Sequence, residues 1–143
     1  MIGRPTAVAL IAAGVVLTAT AMVLPWYSTA YAGGVEVVVR AWGTEVVNKP
    51  GDWPAGELSP WYGLPVAVAA ALLVAGVWVN RAALAGAAAQ LGAVGITAAL
   101  VVSERGHAVE QQGEFAIGYG LVFLVVGTVV ALVGAIAVQR ESA

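Results

Sequence analysis

Apolar residues in this chain come in long unbroken blocks, not in the alternations or narrow stripes of a soluble fold. Four blocks stand out: about Pro5 to Leu24, Gly63 to Val79, Ala82 to Val102, and Phe115 to Val138. None contains Asp, Glu, Lys or Arg, and each is close to the roughly 20 residues that cross a hydrocarbon core of about 30 Å. The pattern predicts an all-α membrane protein, a bundle of four transmembrane helices forming one domain over residues 1–143. Only Asn80 and Arg81 separate the second and third blocks, which predicts a tight antiparallel hairpin. The first block could serve instead as a signal peptide, with Ala30-Tyr31-Ala32 as a small-x-small cleavage site. Its apolar run exceeds an ordinary signal core of about 7–15 residues, and a retained helix is the expectation.

Between the blocks lie two segments, 25–62 and 103–114, expected as outer loops. In the first, Trp26 to Ala32 and Val35 to Trp42 flank Gly33-Gly34, a turn signal because glycine accepts positive φ. The valine-rich arm predicts a strand with Val35, Val37, Val39 and Ala41 on one face. Thr44 to Val47 can add a third short strand. From Pro50 to Pro60, prolines and glycines break regular structure. The result is a small extracytoplasmic β-hairpin or sheet, marginal in isolation and needing a surface to lean on. The second loop is polar, acidic and too short for a core.

Charge orients the chain. Arg4, Arg81 and Arg140 lie close to span ends on one side, whereas Arg40 and Lys49 sit deep in a longer loop, with Arg105 in the second. Seven of the eight acidic residues fall on the loop side. The positive-inside rule then places both termini in the cytoplasm of a plasma (inner) membrane. With 61% apolar and 10% charged residues and a net charge of −2, there is no basic stripe for nucleic acid. Without cysteine there is no disulfide, thiolate metal site or cysteine acylation.

Candidate chemistry is sparse. His107, the single histidine, has Glu104 and Glu110 three residues to either side, but Gly106 and Gly113 suggest a solvated turn, and one histidine makes a poor metal site. The serines have no triad partners, and Gly118-x-Gly120 lies in an apolar span, where it reads as helix packing. No enzyme activity, cofactor, metal or soluble small-molecule substrate is expected. Gln90 is the one strongly polar side chain deep in a span, and a hydrogen bond to a neighbouring helix is its ordinary use. The pairs Trp26-Tyr27 and Trp61-Tyr62 suit a membrane-interface belt. Trp42 and Trp53, with Arg40, are better placed for contact with a partner. Small residues recur at helical spacing: Ala67, Ala71 and Ala75; Ala85, Ala89 and Ala93, with Ala88 and Gly92 beside them; and Gly127, Ala131 and Ala135. Such faces pack the four helices together or offer a docking face, the last stripe being the candidate partner contact.

A long first outer loop with strands, a tight inner turn and a short second loop resemble the claudin-type four-helix layout over the whole chain. The paired cysteines of a claudin's first loop are absent. The Leu24-Pro25-Trp26-Tyr27-Ser28 exit and the valine-rich hairpin resemble the small four-helix accessory proteins of actinobacterial envelope complexes, in particular auxiliary subunits of Mce lipid-uptake transporters. The Ala, Val and Gly usage agrees with a high-GC genome of that kind. The resemblance implies a non-catalytic accessory subunit docking on a transporter permease and touching lipid. A respiratory supercomplex is the alternative host. The rival class is a small homo-oligomeric channel or transporter, lined by Gln90 and the span threonines.

Overall fold

The computed structural model describes residues 3–48, 51, 56 and 62–141. The expectations for Lys49, Trp53 and Trp61, and for most of the broken stretch after Pro50, lie outside the described residues. Among the described residues there are four helices: α1 (Arg4–Ala21), α2 (Gly63–Ala75), α3 (Asn80–Glu110) and α4 (Tyr119–Glu141). Four strands form one sheet at one end: β1 (Tyr27–Ala30), β2 (Glu36–Arg40), β3 (Gly43–Val47) and β4 (Glu114–Ile117). Helices α1, α3 and α4 are long and apolar enough to cross a membrane, whereas α2 has 13 residues, about 20 Å of helix.

The helices associate as two close pairs. On α1 the buried residues Ala7, Ile11, Gly14, Thr18 and Ala21 follow a 3-4 spacing and face α4. A Cβ on Gly14 would lie 2.6 Å from the Ala131 methyl and 2.8 Å from the Gly127 carbonyl oxygen, so only glycine admits this approach. Gly134 likewise lies under Ala7 and Ile11. In the second pair, Gly76 and Gly86 bring α2 against α3, and a Cβ on Gly86 would sit 2.7 Å from the Leu73 nitrogen. Between apolar helices, close backbone approach of this kind adds the contact that holds neighbours together. Large apolar side chains face outward on all four, Val16, Val68, Ile96 and Val129 among them, so these helices are apolar all round.

The sheet is antiparallel in the order β3-β2-β1-β4. The predicted hairpin is present, with Tyr27 opposite Val39. Its turn is longer than two residues: a 3-10 turn, Ala32–Gly34, in which both glycines take φ near +80°. Val35, Val39 and Ala41 are buried, in keeping with the predicted face, and Val38 on the other face is covered as well.

Three boundaries differ from those expected. The fourth apolar block does not begin a helix at Phe115, because Glu114–Ile117 pair with β1 in the register Tyr27 to Ile117, and Gly118 separates that strand from α4. The segment 103–114 is not a loop, since α3 runs on to Glu110 through helix-forming Glu104, Arg105 and Ala108 despite Gly106. The turn between the second and third helices lies at Gly76–Val79, and Asn80 and Arg81 already belong to α3. Helix α3 ends in a Schellman motif: Gly113 N–H donates to the Ala108 carbonyl at 2.7 Å and Gln112 N–H to that of Val109 at 3.2 Å. Its left-handed residue is Gln112, at φ 58°.

Candidate functional site

Gln90 lies where α1, α3 and α4 meet, fully buried. Its amide nitrogen donates to the Thr18 hydroxyl at 2.7 Å and the Thr128 hydroxyl at 2.9 Å. Each threonine spends its own hydrogen on its helix, Thr18 on the Gly14 carbonyl at 2.8 Å and Thr128 on that of Leu124 at 2.7 Å. Both hydroxyls are therefore left as acceptors, matching the two hydrogens of the amide. The Gln90 oxygen has no partner. Interhelical bonds in membranes average about 0.6 kcal/mol, and an unmatched buried acceptor costs about 1–3 kcal/mol. The node thus contributes little net stability and acts by fixing the rotation of three helices. It also faces inward, so a pore between identical copies would not be lined by Gln90, Thr18 or Thr128.

The interfacial belt expected of Trp26 and Tyr27 is not what the structure shows. Trp26 is fully buried, and its indole N–H donates to the Ala21 carbonyl at 2.8 Å, capping α1. Its ring meets Tyr62 edge-on at 5.6 Å. Tyr27 is buried too, its hydroxyl 3.1 Å from that of Tyr62. The reason is the sheet, which folds back over the end of the bundle and carries both rings inside. Gly118 and Gly120 complete the closure, since a side chain at either would strike Pro25. Their N–H groups donate to the Trp26 and Pro25 carbonyls, each at 2.9 Å. Burial raises the Tyr27 pKa strongly, with the Tyr62 hydroxyl and the Glu104 charge adding to it.

The stripe Gly127, Ala131 and Ala135 is not a partner face, because all three are buried against α1. Of the α3 stripe Ala85, Ala89 and Ala93, the first two are exposed and Ala93 is buried, so the outward ridge runs along a different line. Ala85, Ala88, Gly92, Gly95 and Ala99 are exposed and follow the 3-4 spacing of a helix seam. A Cβ on Gly92 or Gly95 would meet nothing within 4 Å. Trp42 is 40% exposed, with its ring over Gly63. Arg40 is half-exposed, 3.5 Å from Glu45. Trp78, at the turn opposite the sheet, is 76% exposed and was not singled out from the sequence, although its place next to Arg81 is the signal.

His107 is on α3, not in a turn, and its Nδ1 lies 4.0 Å from the Glu110 carboxylate in water-exposed surroundings. Among the described residues no three His, Cys, Asp or Glu side chains are grouped closely enough to hold a metal ion. No protein-family model and no curated protein sequence matches this chain.

Proposed function

We propose that the protein is a four-span membrane protein serving as a non-catalytic subunit of a larger membrane complex, docked through the outward ridge of α3. The observation that carries this reading is the pair Gly92 and Gly95. Glycine inside a helix costs about 1 kcal/mol relative to alanine. Gly14, Gly86, Gly127 and Gly134 each offset that cost with a close approach inside the bundle. Gly92 and Gly95 have no such use within the chain. A flat ridge of Ala and Gly is what a neighbouring helix needs in order to approach.

The absence of ionisable groups in the spans favours docking over coupled transport. The cap of strands, with Trp42 and Arg40 on its surface, would meet extracytoplasmic parts of the same complex. Arg4, Arg81 and Arg140 share the end opposite the sheet, and Arg4 donates to the Val77 carbonyl there at 3.3 Å. The positive-inside rule puts that end, and both termini, in the cytoplasm. The apolar Gly76–Val79 turn extends the reach of α2 toward it. The Mce-type lipid-uptake transporter is the host that the layout and the Leu24–Ser28 exit suggest.

The test is co-purification from native membranes in mild detergent, comparing the wild type with Gly92→Leu/Gly95→Leu. Stable partners should accompany the wild type and be lost from the variant, with helicity unchanged. A wild-type chain that purifies alone defeats the proposal.

A further inference from the structure

A second outward feature lies on another side of α3. Between the sheet-proximal halves of α3 and α4 runs a groove of about 430 Å³, walled by Val94, Ala98 and Val101 on α3 and by Leu121, Val122 and Val125 on α4. It is lined by apolar side chains, apart from the nearly buried Thr97, and falls in the size range of a ligand pocket. Helix spacing puts Arg105 directly above it, four residues beyond Val101 and seven beyond Ala98. One turn is about 6 Å of rise, and side chains on a helix lean toward its N-terminus, here toward the groove.

Arg105 is exposed and makes no ion pair or hydrogen bond among the described residues. On the opposite wall Tyr119 is 77% exposed, one turn above Val122. The first turn beyond the apolar stretch therefore offers an unpaired guanidinium and a phenol over a slot open to the side.

From this juxtaposition we infer that the α3–α4 groove holds one acyl chain of an anionic phospholipid from the leaflet on the sheet side, with its phosphate held by Arg105 and Tyr119. An acyl chain matches a slot that is apolar throughout and open laterally. A guanidinium at headgroup height supplies the complementary charge, and its planar fork suits phosphate. Van der Waals contact retains the chain, and the charge selects the headgroup. The inference rests on the membrane reading above but not on the docking ridge, which occupies a different side of α3.

The test is native mass spectrometry of the full chain released from nanodiscs containing equal phosphatidylglycerol and phosphatidylcholine with identical chains. The wild type should keep one lipid per chain, with phosphatidylglycerol preferred about fivefold, the effect of one basic residue near an anionic surface. Arg105→Gln should abolish the preference and Arg105→Lys should keep most of it. Ala98→Phe, or Val125→Trp from the other wall, should expel the lipid while circular dichroism stays unchanged. Free glycerol phosphate should not compete, because it lacks the chain. An unchanged preference in Arg105→Gln would overturn the proposal. So would full lipid retention in both groove-filling variants, or a second copy of the chain in place of lipid. Failure of co-purification with preserved lipid selectivity would count against the docked-subunit reading alone.

Discussion

The amide of Gln90 has two hydrogens and two threonine oxygens placed to receive them, while its own oxygen has no hydrogen-bond partner among the described residues. Replacing it with leucine removes two weak bonds and one unmatched acceptor together. Gln90→Leu should therefore change stability by no more than about 1 kcal/mol, measured by reversible unfolding in detergent. Gln90→Ala, which leaves a hole between three helices, should cost about 2 kcal/mol or more. Gln112 holds a left-handed conformation that glycine adopts freely. Gln112→Gly should gain about 0.5–1 kcal/mol at the end of α3. Tyr27 ties the cap to pH. Its folded pKa lies above the unfolded value of 10.0, so its stabilising share is complete below that pH and is lost as alkali rises toward the folded value. Alkaline unfolding should begin at higher pH in Tyr27→Phe, and a wild-type profile in that variant would show that another group governs it. Gln90 was visible in the sequence as a polar residue in an apolar block. Its partners were not, because choosing Thr18 and Thr128 over the other threonines depends on how helices 38 and 72 residues away in sequence are rotated.

At the scale of elements, uninterrupted apolar composition is a local property, and it sufficed for the four helices and the valine-rich hairpin. The boundaries it missed depend on distant chain. Phe115–Ile117 is continuous in composition with α4, and only pairing with Tyr27–Thr29 makes it a strand. The polar end of α3 reads as a turn until Gln112 and Gly113 are seen to close its last carbonyls. Small-residue stripes look alike in sequence whether they face inward or outward, so the α4 stripe reads as a surface until α1 is seen to cover it. A pair of substitutions separates the two kinds. Gly14→Leu drives a side chain into the backbone of α4 and should destabilise the bundle by about 1–3 kcal/mol or more. Gly92→Leu enters open space and should leave the isolated chain at least as stable as before, since leucine is the better helix former. Equal effects at the two positions, by thermal unfolding in detergent, would contradict the packing described.

The whole molecule is closed by its two ends. Helix α1 packs on α4, and β1 is completed by β4, so both elements nearest the N-terminus find their partners in the last third of the chain. The intervening α2–α3 hairpin is local and can form as soon as it is made. During synthesis, then, α1 keeps its glycine face bare until α4 is made, and β1 holds an unpaired edge until β4 is made. A chain cut off before α4 lacks the partner of α1 and keeps that of β1. Any factor that grips small-residue helices could tell chains that have made α4 from those that have not by that face alone, which makes the bare side of α1 a signal that its partner is still to come.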